Sequence, residues 1–161
     1  MEVHFDGACE RTRNGSIATY GFTIEGAGFA YEGHGLAVPP FHARATNNVA
    51  EYSGAICALE WLARNGYTGD VVVRGDSLLV VRQMTGEYRV RKEHLQAYHD
   101  WLKQLTLRFP KVEFHWVPRA QNQRADLLSK QALKEAAYSP PKGRRATVVV
   151  ASDDESDENE P

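Results

Sequence analysis

Hydrophobic and polar residues alternate at the start of the chain. Val3 and Phe5 fall on one side, Glu2, His4 and Asp6 on the other. A period of two marks a strand with one buried face. That strand is expected to stop at Asp6, where Gly7 lets the backbone turn away. Asn14-Gly15 is a hairpin signal, followed by a second strand pattern over residues 17–25. Gly26-Ala27-Gly28 turns the chain into a third, residues 29–38, which Pro39-Pro40 closes. Three such strands in succession make an antiparallel meander.

The period then changes. Val49, Tyr52, Ile56, Leu59 and Ala63 recur at helical spacing, which predicts a helix over 49–64 with that stripe buried. Asn47 and Asn48 precede it as candidate N-caps, and Asn65-Gly66 supplies the stop. Val71, Val72 and Val73 read as a short buried strand, with Asp76 at its end. Ser77 caps a short helix to Met84, stopped by Gly86. A basic link, 87–92, leads into a helix over 93–108. Leu95, Tyr98, Leu102 and Leu105 form its core face, and Pro110 ends it. A fifth strand, 112–117, closes at Pro118. A last helix, 123–137, turns Leu128, Ala132 and Leu133 inward. The order β-β-β-α-β-α-α-β-α implies an α/β fold. Its mixed five-stranded sheet has the first strand central and helices flanking. Trp61, Trp101 and Trp116 are assigned to the core or its edge.

Composition narrows the class. With 161 residues, 42% hydrophobic and 25% charged, the chain suits a single globular domain. No apolar run is long enough to cross a bilayer and no signal peptide opens the chain, so a cytoplasmic, membrane-free protein is expected. Cys9 and Cys57 form no C-x-x-C pair and read as reduced thiols. The histidines show no zinc-ligand spacing. The net charge of −2 conceals an asymmetry. Asp153, Asp154, Glu155, Asp157, Glu158 and Glu160 are six of the 21 acids, leaving 15 against 19 bases in the remainder of the chain. A remainder of +4 fits a polyanionic partner. Domain organisation follows: 1–138 as the globular unit, then a Pro-rich linker and a disordered acidic tail over 139–161. Residues 146–151 are a candidate edge strand.

Four acids stand at element ends: Asp6, Glu51, Asp76 and Asp126. Carboxylates that converge repel and raise each other's pKa. Hard divalent cations relieve this, and oxygen-only donors favour Mg²⁺ or Mn²⁺. Two such ions, roughly 4 Å apart, suit in-line displacement at a phosphate. Taken singly, Glu51 and Asp126 also read as helix-dipole acids in a first turn.

The segments F-D-G-A at 5–8, T-N-N-V-A-E at 46–51, G-D-S at 75–77 and W-V-P-R…N-Q-R-A-D at 116–126 resemble type 1 ribonuclease H. The similarity covers roughly residues 1–138, in order and spacing, and implies the ribonuclease H-like fold. It implies a monomeric endonuclease that cleaves the RNA strand of RNA/DNA hybrids with two Mg²⁺, leaving 5′-phosphate and 3′-hydroxyl ends. By position, Asp6 would bridge both metals. Glu51 and Asp76 would complete one shell, with Glu51 close to the 2′-hydroxyl, and Asp126 would hold the other ion. Thr46 falls where the family contacts a DNA phosphate, and Asn122 among the substrate contacts. Cys9, Asn47 and Asn48 fall at groove contacts. Cys9 is equally a small residue at the sheet edge, and Asn47 and Asn48 are equally caps.

Three departures qualify the resemblance. Arg119 stands where many relatives carry a histidine, as in the archaeal-like branch. Arginine stays protonated and cannot act as a base, but it can steady phosphate charge. Leu78 replaces a glutamine that contacts the groove. The basic protrusion of many bacterial members is missing, leaving Tyr88, Arg89, Arg91 and Lys92 as either phosphate contacts or solvated charge. The competing readings are a catalytically silent hybrid- or duplex-binding module and another nuclease or transposase on this fold. Cleavage of double-stranded RNA stays open.

Overall fold

Two tight turns, Arg13-Asn14 and Ala27-Gly28, fold the first three strands into the expected meander. The computed structural model describes residues 1–137. The strands are β1 (Glu2–Thr12), β2 (Gly15–Gly26), β3 (Phe29–Leu36), β4 (Val71–Gly75) and β5 (Val112–Trp116). The helices are α1 (Asn47–Arg64), α2 (Leu78–Thr85), α3 (Glu93–Thr106) and α4 (Gln123–Ala137). A 3₁₀ turn, Arg119–Gln121, precedes α4. The sheet runs β3-β2-β1-β4-β5, so β1 is central, as expected. It pairs antiparallel with β2 and parallel with β4. The linker, the candidate strand at 146–151 and the acidic tail lie outside the described residues.

Alternation along the strands places α1 and α4 on opposite faces. A Cβ on Gly7 would lie 2.5 Å from the Ala50 carbonyl carbon and 2.5 Å from the Glu51 nitrogen, both in α1. A Cβ on Gly21 would lie 2.6 Å from the Ser129 nitrogen in α4. Missing side chains therefore let both helices sit directly on the backbone of β1 and β2. This corrects the reading of Gly7. The strand does not turn at Asp6 but continues to Thr12, paired throughout with β2. What ends near Asp6 is the parallel ladder, whose last pair is Phe5 with Gly75.

Other differences have equally local causes. The cap of α1 is Thr46, not an asparagine: its Oγ1 accepts from the Val49 N–H at 3.2 Å. The helix is buried on nearly every side, because α3 covers the face turned from the sheet. Ala63 is only half-buried. β3 stops at Leu36 and α3 at Thr106, both short of their expected ends. The core face of α3 matches the periodicity, with Leu95, Tyr98, Leu102 and Leu105 buried. Trp61 and Trp101 pack against the core, but Trp116 is 48% exposed, so its core assignment was wrong. It lies at the end of edge strand β5, where its indole N–H donates to the Asp76 carbonyl at 3.3 Å.

Gly7→Ala is expected to lift α1 from β1 and to cost about 2–4 kcal/mol. Urea unfolding of the metal-free protein reads this directly.

Candidate active site

The register of β1 and β4 brings the first two acids together. Asp6 and Asp76 each follow the last parallel pair, so they stand side by side at the same level. Neighbouring strands lie about 4.8 Å apart. Glu51 arrives from α1, which the Gly7 contact presses onto the same stretch of β1. One carboxylate oxygen from each of Asp6, Glu51 and Asp76 lies within 4.8 Å of the others. Asp126 comes from the first turn of α4, where its N–H donates to the Asn122 carbonyl at 3.1 Å. It stands outside the tight trio, yet its carboxyl adjoins Asp6 and its charge acts on both Asp6 and Asp76.

The trio is largely dry. Asp6 is 4% and Glu51 8% exposed. Burial, then the Asp76 charge, pushes the Asp6 pKa up to about 7, against the Gly7 N–H that stabilises its anion at 2.9 Å. Burial, then Asp6 and Asp76, holds Glu51 well above the usual carboxylate range. Asp76 is also raised by burial, while Arg119 and Asn122 pull it down. Glu51 Oε1 and Asp76 Oδ2 are buried without a hydrogen-bond partner. Orphaned buried acceptors are costly. Oxygen-only donors carrying orphaned anionic lone pairs are what a hard divalent cation satisfies, so these residues fit Mg²⁺ or Mn²⁺.

Two cations rim the acids. Arg119 Nε lies 4.0 Å from Asp76 Oδ2 with its side chain 81% exposed. Lys130 Nζ lies 3.3 Å from Asp126 Oδ2. Lys130 was missed, although its i,i+4 spacing from Asp126 was readable. Arg124, which bonds Glu32 of β3 through two 2.7 Å contacts and so anchors the start of α4, left no sequence signal.

Of the expected groove residues, Cys9, Thr46, Asn47 and Asn48 are partly or fully exposed. Cys9 Sγ donates to the Ala45 carbonyl at 3.5 Å, tying the loop before α1 to β1. Burial raises the Cys9 thiol pKa. Asn47 is exposed and Asn48 half-buried, and neither caps α1. Leu78 is 38% exposed. Tyr88 lies under the Arg82 guanidinium, 5.7 Å from the ring centre, in an exposed stretch with Arg89, and Arg91 and Lys92 are exposed just beyond. Asn122 is the exception. It is 1% exposed and donates through Nδ2 to the Phe5 carbonyl at 2.8 Å, so it faces inward rather than toward a substrate.

A mixed sheet in this strand order, with carboxylates from β1, α1, β4 and α4 at one end, defines the ribonuclease H-like class. The family described as Reverse transcriptase-like matches residues 5–132. Ribonuclease HI of Halobacterium salinarum is 36% identical over 136 residues, spanning 84% of this chain and 65% of that protein. The crystal structure of RNase H1 from Halobacterium salinarum NRC-1 has a TM-score of 0.71 at 36% identity, covering 83% of this chain and 97% of that one. LC11-RNase H1, solved in complex with an RNA/DNA hybrid, has a TM-score of 0.72 at 32% identity, covering 84% and 98%. A bifunctional protein of Mycobacterium tuberculosis is 38% identical over 110 residues, which span 68% of this chain and only 30% of that protein's length. The chain belongs to the type 1 ribonuclease H family.

The raised pKa values set a sign. A carboxyl with a raised folded pKa adds stability that is complete below its unfolded value and lost as pH rises through the folded one. For Asp6 that loss runs from about 4 to about 7. Asp6→Asn is therefore expected to stabilise the metal-free protein at pH 8 by roughly 2–4 kcal/mol, with the gain vanishing toward pH 4. Melting curves at both pH values check it.

Proposed function

We propose that this chain is an endoribonuclease that hydrolyses the RNA strand of RNA/DNA hybrids with two divalent cations, leaving 5′-phosphate and 3′-hydroxyl ends. The observation that carries the reading is the meeting of Asp6, Glu51 and Asp76 within 4.8 Å, with buried unpartnered oxygens on two of them. A module that only bound nucleic acid would gain nothing from charge that repels phosphates. The hybrid held by LC11-RNase H1 supports the substrate.

Mg²⁺ is the expected ion and Mn²⁺ the second fit. Asp6, Glu51, Asp76 and Asp126 would hold the ions, with Asp6, Glu51 and Asp76 as the tight set and Asp126 beside it. When bound, the ions activate water and neutralise charge on the phosphate and the departing oxygen. The chain's own residues do the rest. Arg119, exposed and permanently charged, reaches outward to steady the phosphate rather than to take a proton. Glu51 lies close to the 2′-hydroxyl. Cys9, Asn47 and Asn48 read a shallow groove in which 2′-hydroxyls tell RNA from DNA. Thr46 accepts from Val49, which leaves its O–H to donate to a DNA phosphate. Tyr88, Arg89, Arg91 and Lys92 add phosphate contacts. The catalytic unit, residues 1–138, acts as a monomer in the cytoplasm. Its two cysteines, neither in a disulfide, suit a reducing compartment.

Labelled RNA/DNA, RNA/RNA and DNA/DNA duplexes, each with and without Mg²⁺, test the reading. Metal-dependent loss of the hybrid's RNA strand is expected, and an intact hybrid would overturn it. The RNA/RNA arm decides the second substrate. Asp6→Asn should stay folded and lose about 1,000-fold or more in rate, the equivalent of several kcal/mol of charge stabilisation. Arg119→Ala should lower kcat by roughly 10- to 1,000-fold with little change in hybrid affinity. An unchanged kcat would return Arg119 to the solvated surface.

A further inference from the structure

Asn122 occupies the position before α4, where an asparagine ordinarily caps its own helix through Oδ1. Here it does not. Its Nδ2–H donates to the Phe5 carbonyl, 117 residues away in sequence, and its Oδ1 is buried without a partner. An unpaired buried acceptor costs about 1–3 kcal/mol. The side chain has given up local capping for a long-range bond.

The place of that bond is informative. In the parallel ladder the Met1 carbonyl accepts from Val72 at 2.9 Å, and the pairs run on to Phe5 with Gly75. β4 ends at Gly75, so the Phe5 carbonyl stands at the last rung of the ladder. The Asn122 amide takes it, at the point where Asp6 and Asp76 follow the last pair of the ladder. The same side chain adjoins the Asp76 carboxylate. The Asn122 main chain accepts from the Asp126 N–H at 3.1 Å and donates to the Arg119 carbonyl at 2.9 Å. One buried residue therefore touches the peptide before Asp6, the side chain of Asp76 and the backbones of Asp126 and Arg119.

We infer that Asn122 is a positioning residue, a wedge where the parallel ladder of β1 and β4 ends, that sets the spacing of Asp6, Asp76 and Asp126 and so the affinity of the site for divalent cations. It acts through the acids and does not contact the substrate. The inference rests on the proposed function for its kinetic consequence but not for its binding consequence. Residues that orient ligands in this way typically cost 10- to 100-fold in metal affinity or activity when removed.

The test is Asn122→Ala, with Mg²⁺ affinity measured by titration calorimetry in the absence of nucleic acid, and kcat and KM measured on an RNA/DNA hybrid. The expected result is Mg²⁺ affinity and kcat each lower by about 10- to 100-fold, with the hybrid KM within roughly threefold of wild type. If the alanine variant melts below the assay temperature, Asn122→Ser, which keeps the cavity polar but is too short to reach Phe5, is measured in its place. A folded variant with wild-type Mg²⁺ affinity overturns the inference. A rise in KM alone also overturns it and returns Asn122 to the substrate surface. If the wild type itself does not cleave the hybrid, the functional reading fails while the calorimetric comparison still decides the role of Asn122.

Discussion

Like charges held close together in a dry pocket are what the rest of this molecule has to withstand. Asp6 and Glu51 are almost fully buried, and Asp76 stands within reach of both. Each would lower its energy by swinging into water. The fold prevents this with rigid parts: a central strand paired on both sides, a helix lying on bare backbone at Gly7, and a second helix lying on Gly21. The apolar interior around Phe5, Tyr52, Ile56 and Leu59 supplies the offset. Net stabilities of domains this size are about 5–15 kcal/mol, so an electrostatic penalty of a few kcal/mol is a substantial share.

The cations around the rim are placed differently from the acids. Arg119 and Lys130 are mostly exposed, on long flexible side chains at the pocket's edge. Exposed pairs of this kind contribute little to stability. The acids are buried and the bases exposed, so the negative groups are held by the fold while the positive ones stand in solvent at the rim.

Much of this was legible in the chain. Asp6, Glu51, Asp76 and Asp126 were legible through the four motif segments that carry them, although Asp6 lies inside β1 and Glu51 in the second turn of α1 rather than at element ends. The sheet order followed from three strands joined by tight turns and two reached through helices. What stayed hidden depended on contacts distant in sequence. Asn122 sits before a helix, where the local reading is a cap or a loop contact, and only the end of β4 at Gly75 gives its amide another use. Trp116 shares a period-two face with Val112 and Phe114, which are partly covered, but it lies one step beyond that cover. Gly7 reads as a turn in the sequence because glycine's steric permissiveness looks the same whether the chain bends or a helix comes close. The cap of α1 fell to Thr46 because the helix begins two residues earlier than its apolar stripe.

The parallel pairing of β1 with β4 also bears on how this architecture tolerates change. Side chains on a strand alternate sides, so gaining or losing a single residue within Val71–Gly75 would invert every position after it. Asp76 would then turn away from Asp6 even though the composition had barely altered. The stretch between α1 and β4 carries no such arithmetic and can lengthen at little cost. Drift by insertion and deletion is thus channelled into the connections, and the strand interiors keep their count.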